Sequence, residues 1–132
     1  MIEETYVSFE TAKLLKENGF DEKVSTHYLV HPSGFPEFFD KKDEFPEPED
    51  VWLKCPTHQM ALKWLREVHN KHCDIGYDID LYWFFQIIEL KELKEHFDYS
   101  ELKYYHTENE TGFNSYEEAV ESAIKYCLEN LI

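Results

Sequence analysis

The sequence is short of positive charge, and this shortage excludes whole classes of partner. It has 13 Lys and Arg residues against 28 Asp and Glu residues, which gives a formal net charge of −15. Such a surface repels the phosphates of nucleic acids and the head groups of anionic membranes, so direct binding to either is not expected. The expected partner is a protein, and a basic protein surface is what this charge attracts.

Long apolar runs and paired cysteines are also missing. The longest apolar stretch, Leu81 to Leu90, is interrupted by Gln86 and Glu89, whereas a membrane-spanning helix needs about 20 apolar residues. The segment Met1 to Thr5 lacks the basic and apolar regions of a secretory signal. The three cysteines include no C-x-x-C pair, which fits a reducing compartment. Together these features predict a cytoplasmic protein.

Glycine and proline are scarce as well, at four and five residues. The chain therefore has neither a glycine-rich phosphate loop nor a low-complexity linker. By contrast, aromatic residues make up 17% of the chain, a share that disordered proteins lack. Because 132 residues is the usual size of one domain, we expect residues 1–132 to form a single domain.

Three segments have the capping residues and the apolar spacing of amphipathic helices. The first is predicted to open at Ser8 and end at Asn18-Gly19. The second runs from near Thr57 to about His69. The third begins at Ser115, whose Ser-x-x-Glu sequence is a capping box.

The remaining segments predict strands and one loop. Strands are expected at Thr26 to His31, at Ile75 to Ile79, where apolar residues alternate, and at Tyr82 to Leu90. A tight turn at Asp80-Leu81 would join the last two. Pro36 to Asp50, with three prolines, is predicted to be an ordered surface loop.

Edge strands are further expected at Lys94 to Asp98 and at Leu102 to Thr107. The predicted order is thus α-β-α-β-β-β-α. An antiparallel sheet of three to four strands with helices packed on one face gives an α+β fold, a two-layer sandwich.

Candidate metal ligands cluster at the two ends of the second helix. Cys55-x-x-His58 lies at its start, and His69, His72 and Cys73 follow at its end. His58 and His69 are separated by about 16 Å along a helix axis, so one zinc ion cannot bind both. Only His69, His72 and Cys73 remain as a possible set, and His69 at a helix C-terminus also has a structural role available.

Asp78 and Asp80 are the other candidates, because alternate residues of a strand point to the same face. Two carboxylates there could bind a divalent cation or act as acid and base, or simply face solvent. No cysteine has the local signature of a nucleophile. The sequence therefore assigns no catalytic or cofactor-binding residue, no cofactor and no firm metal site.

An aromatic patch, Tyr99 to His106, lies in the acidic C-terminal half. If it is exposed, it suits a protein interface, where Tyr and Trp anchor contacts. If it is buried, it belongs to the core. The sequence leaves both alternatives open.

Three segments resemble a group of small uncharacterised proteins from phages and prophages of gut bacteria. They are Tyr6 to Phe20 (YVSFETAKLLKENGF), Pro56 to Glu67 (PTHQMALKWLRE) and Gly112 to Ala119 (GFNSYEEA). The resemblance covers the three predicted helices and implies a bacterial cytoplasm as the setting. It implies no activity and transfers no catalytic residue.

These observations favour a non-enzymatic phage or prophage accessory protein that acts by binding another protein. One version is mimicry of nucleic acid, in which carboxylates imitate phosphates. The alternatives are a metal-dependent enzyme and a structural or assembly component that self-associates. The sequence gives neither the partner nor the oligomeric state.

Overall fold

The computed structural model describes residues 2–40, 52–90, 104–106 and 112–132. Three helices occur in these ranges, and each begins at a side chain that caps its first turn. Ser8, Thr57 and Ser115 accept hydrogen bonds from the backbone N–H groups three residues ahead. The helices are α1 (Phe9–Glu17), α2 (His58–His69) and α3 (Tyr116–Asn130). All three predicted starts are therefore confirmed.

Six strands form two antiparallel sheets of three strands each in the described part of the chain. The first sheet has the order β2-β1-β3 and the second the order β4-β5-β6. The strands are β1 (Thr26–Val30), β2 (Pro36–Asp40), β3 (Trp52–Lys54), β4 (Lys71–Tyr77), β5 (Trp83–Glu89) and β6 (Tyr104–His106).

Helix α3 connects the parts of the molecule. It packs against β4 and β5 of the second sheet and against α1 and α2. Its apolar stripe is fully or almost fully buried, as expected from its spacing. The buried residues of this stripe are Ala119, Val120, Ala123, Ile124, Cys127 and Leu128.

The α+β class and the antiparallel pairing are confirmed, but the strands are distributed differently from the prediction. In the described ranges the strands form two sheets instead of the predicted single sheet of three to four strands, and the elements follow the order α-β-β-β-α-β-β-β-α. The difference arises around the loop predicted over Pro36 to Asp50, because Pro36–Asp40 is β2 and Trp52–Lys54 is β3. The rest of the predicted loop, 41–50, lies outside the described residues. Pro36 is the first residue of an edge strand, where its missing N–H costs no ladder bond.

Other boundaries shift by a few residues. β4 begins at Lys71, directly after α2, because Asn70 adopts a left-handed backbone conformation with φ 56° and ends the helix. The predicted strand at Leu102 to Thr107 contains β6, whereas Lys94 to Asp98 lies outside the described residues. No helix in the described ranges is both long enough and apolar enough to cross a membrane.

Candidate functional site

Among the described residues, a concentrated group of polar side chains surrounds the carboxylate of Glu121 on α3. One oxygen accepts hydrogen bonds from the backbone N–H of Ser8 at 3.0 Å and from Nε2 of His58 at 2.9 Å. The other accepts from the Ser8 hydroxyl at 2.8 Å and from the Thr11 hydroxyl. Only 7% of the His58 side chain and 24% of the Glu121 side chain are exposed. We call these four residues the Glu121 cluster.

Helix starts bring the Glu121 cluster together. Ser8 is the N-cap of α1, and His58 is the first residue of α2 after the Thr57 cap. The carboxylate thus lies at the N-terminus of α1, where unpaired N–H groups and the helix dipole favour a negative charge. The second ring nitrogen of His58 contacts the hydroxyl of Thr5 at 2.8 Å.

These contacts decide the ionisation of Glu121. Burial by itself raises the pKa of its carboxyl, but the hydrogen bonds from His58, Thr11 and Ser8 together outweigh burial and hold the pKa below its ordinary value. Nearby, burial raises the pKa of the Cys55 thiol to about 12, and burial likewise raises the pKa of Tyr28. The cluster therefore holds a carboxylate beside a protonated thiol and a protonated phenol.

This arrangement joins the three helices rather than presenting reactive groups. The Glu121 carboxylate already accepts four hydrogen bonds, and both ring nitrogens of His58 have partners. The Cys55 thiol is buried and donates to the carbonyl of Val7 at 3.4 Å. A protonated thiol is not a nucleophile. The Glu121 cluster is best explained as a hydrogen-bond network that stabilises the packing of α1 and α2 against α3.

The candidate metal ligands at the end of α2 do not converge. His69 is the last residue of the helix, whereas His72 and Cys73 are consecutive in β4 and so point to opposite faces of the sheet. Sγ of Cys73 lies 3.8 Å from Sγ of Cys127 in the core. The sequence predicted that the three residues straddle the helix end, and they do, with His72 and Cys73 in β4, which begins at Lys71.

His69 has a structural position of its own. Its ring meets that of Trp64 edge to face, with centroids 4.6 Å apart. Burial, and then the positive charge of Lys71, lower the pKa of His69, so a neutral ring is favoured. Within the ranges that the structure describes, no three His, Cys, Asp or Glu side chains are placed to hold a metal ion.

Asp78 and Asp80 lie in the turn after β4 and not on a strand face, contrary to the sequence prediction. The strand ends at Tyr77, and Oδ1 of Asp78 accepts a hydrogen bond from the backbone N–H of Asp80 at 3.0 Å. The two carboxylates therefore shape a turn. The Tyr99 to His106 patch is represented only by the backbone of β6, and the exposure of its side chains lies outside the described residues.

The same turn carries the most exposed large apolar side chains of the β4–β5 hairpin. We call Tyr77–Tyr82 the hairpin tip. Ile79 is 94% exposed, Leu81 78% and Tyr77 54%. Ile79 lies in the sequence between two carboxylates, those of Asp78 and Asp80. The sequence predicted a turn here but gave no sign that its apolar residues face solvent.

The Glu121 cluster was missed entirely from sequence. A signal was present, because Glu121 is three residues before Ile124 and seven before Leu128, which places it on the buried side of α3. An acidic residue at such a position requires polar partners from other elements. The identity of those partners depends on packing between helices that are distant in sequence.

The chain matches no protein-family model, no curated protein and no solved structure.

Proposed function

We propose that this protein has no enzymatic activity and acts by binding a basic protein partner. The observation that carries the proposal is the charge. With 28 acidic and 13 basic residues, 15 carboxylates lack a Lys or Arg partner even if every basic residue pairs with one acid. Such an excess speeds encounter with a basic surface and disfavours acidic ones.

The state of the buried polar groups supports binding over catalysis. Glu121 and Glu89 are the least exposed carboxylates in the described ion pairs. Glu89 pairs with the ammonium group of Lys71, and Glu121 accepts several hydrogen bonds. The other described pairs, such as Lys54–Asp21 and Lys125–Glu10, are largely exposed. Exposed pairs contribute little to stability, so the acidic surface is not required by the fold.

The proposed setting is a bacterial cytoplasm, with the chain acting as a phage or prophage accessory protein. The resemblance of its three helical segments to such proteins motivates this part of the proposal. In that setting a basic partner would include proteins that bind DNA, because exposed carboxylates imitate a row of phosphates. In this version of the proposal, the chain occupies the surface with which a partner protein binds nucleic acid.

Affinity capture from a bacterial lysate tests the proposal, with washes at low and high salt. We expect a basic partner, identified by mass spectrometry, that is retained at low salt and released at high salt. Its purified form must bind the purified chain directly. A partner that is acidic, or a basic one whose binding is independent of salt, would contradict the proposal.

Two matched variants sharpen this experiment. In one, the exposed acids Glu17 and Glu22 are changed to Gln, and in the other the exposed cations Lys16 and Lys23 are changed to Gln. Both variants remove two charges from the same region. Affinity for the basic partner should fall in the first and stay equal or rise in the second.

A further inference from the structure

The hairpin tip has an unusual backbone. The carbonyl of Asp78 accepts from the N–H of Leu81 at 3.0 Å, and the N–H of Asp78 donates to the carbonyl of Tyr82 at 2.9 Å. Leu81 has φ 68°, a left-handed conformation. When the turn of a hairpin contains one left-handed residue, that residue is normally Gly, because a Cβ is strained at positive φ. Here the position holds a large apolar residue.

The strained residue is also an exposed one. Leu81 is 78% and Ile79 94% exposed, so neither is held in place by core packing. Residues held in strained backbone conformations cluster at functional sites, including those that clamp ligands. The turn is also fixed in shape, because the Asp78 carboxylate accepts from the Asp80 N–H. The backbone that carries the two apolar side chains is therefore ordered before binding, which lowers the backbone entropy lost on binding.

We propose that the hairpin tip is the element that docks onto a basic protein segment. Ile79 and Leu81 enter an apolar pocket of the partner, and the carboxylates of Asp78 and Asp80 contact Lys or Arg side chains around that pocket. This inference rests on the proposed function, to which it adds the docking element and the chemistry of the partner. Interfaces commonly combine a buried apolar centre with a polar rim in this way.

Charge decides between a basic partner and a second copy of the chain. Two copies would each bring a net charge of −15. If two tips met about a twofold axis, they would oppose Asp78 and Asp80 of one copy to the same carboxylates of the other, and like charges at an interface are costly. A cationic rim on the partner turns the same carboxylates into favourable contacts.

A random peptide library displayed on mRNA provides the probe, with the immobilised full chain as bait. We expect enriched peptides to combine Lys or Arg with Leu or aromatic residues. Leu81→Gly and Ile79→Ser should bind these peptides at least ~10-fold more weakly, as expected for central anchors. Val68→Ser is the matched control, because Val68 is a 53% exposed apolar residue on α2, and its affinity should stay within ~2-fold.

A charge variant provides a second readout. Asp80→Asn keeps the N–H that bonds to Asp78, so the turn retains its shape. It should weaken binding and also reduce the dependence of affinity on salt, which loss of an apolar anchor would not do. Thermal unfolding of every variant checks that the fold is kept.

The possible failures are distinguishable. If basic peptides are enriched but bind Leu81→Gly and Ile79→Ser as tightly as the parent chain, the tip inference is overturned and the proposed function stands. If the enriched peptides carry no excess of Lys or Arg, both are overturned. If sedimentation shows a dimer that Leu81→Gly dissociates, the occupant is a second copy, which also overturns the inference.

Discussion

Replacing Leu81 by Gly and by Ala separates the strain at the hairpin tip from the contacts of its side chain. Both changes remove the same exposed side chain, which is 78% accessible. The buried remainder is worth roughly 0.5 kcal/mol by apolar burial, and each variant loses it. The two variants differ in the backbone, because Ala keeps a Cβ at φ 68° and Gly does not.

The expected difference follows from two opposing effects. A residue with a Cβ in the left-handed region costs about 1–2 kcal/mol, which Gly relieves. Against this, Gly loses more chain entropy on folding, by about 0.5–1 kcal/mol relative to Ala. The net prediction is that Leu81→Gly is more stable than Leu81→Ala by ~0.5–1 kcal/mol. At ordinary positions in strands or helices the order is the reverse.

Urea unfolding followed by circular dichroism measures this difference through the midpoint, provided that the slope m is the same in both variants. Asp80→Ala and Asp80→Gly form a control pair at a neighbouring exposed position of the tip without positive φ, where Ala should be the more stable. If Leu81→Ala is as stable as Leu81→Gly or more stable, the tip is not strained. The docking inference then loses the strain at Leu81 and rests on exposure and charge.

Three further predictions concern the fold. Glu121→Gln should destabilise the chain by roughly 1–3 kcal/mol for each buried donor left unsatisfied. Glu117→Gln, an exposed change in the first turn of the same helix, should cost only about 0.3–1 kcal/mol in the same unfolding assay, through the lost interaction with the helix dipole. The folded-state pKa of Glu121 lies below its ordinary value of 4.5, so the stability that the ionised carboxylate contributes is complete above that value and is lost as the pH falls through the folded pKa. Acid unfolding of the parent chain should therefore begin below about pH 4.5. If Glu121→Gln is equally sensitive to acid, the acid sensitivity does not come from Glu121. Gly112→Ala should cost ~2 kcal/mol or more, since φ is 66° and the new Cβ would lie 2.2 Å from the Tyr82 ring; an unchanged melting temperature would contradict it. Thr57→Ala should lower the free energy of unfolding by ~1 kcal/mol, because α2 loses its N-cap. A decrease of less than about 0.25 kcal/mol would show that the cap does not stabilise the fold.

Local chemistry made the helices predictable. Ser8, Thr57 and Ser115 cap N–H groups three residues away, and the apolar stripes have a period that each helix satisfies alone. A single segment contains all the information that such a feature needs. The capping residues Ser8 and Ser115 and the approximate start of the second helix near Thr57 were therefore predicted correctly.

Pairing between distant strands was less predictable. β1 pairs with both β2 and β3, and the β3 partner is separated from it by more than 20 residues. Pro36 and the prolines after it indicated a loop, but an edge strand accepts Pro at its first residue. Strand formation depends on neighbouring strands more than on local propensity, so the division into two sheets was not visible in the sequence.

The candidate sites show the same limit. His72 and Cys73 looked like neighbours of His69 because they follow it by three and four positions in sequence, but the early start of β4 directs them to opposite faces. Glu121 shows the opposite case, in which residues distant in sequence form one site. Its hydrogen-bond donors belong to α1 and α2, so the sequence around Glu121 did not reveal them. The exposure of Leu81 was equally hidden, since an apolar residue in a turn is as compatible with burial as with display.

The affinity of the purified chain for its captured partner, measured by calorimetry at about 0.1 M and 1 M salt, tests the central claim most directly. The Debye length falls from ~10 Å to ~3 Å over that range. If the carboxylate excess drives association with a basic protein, the dissociation constant should rise at least ~10-fold, a change of about 1.4 kcal/mol. A dissociation constant that stays the same or falls at high salt would contradict binding through the acidic surface.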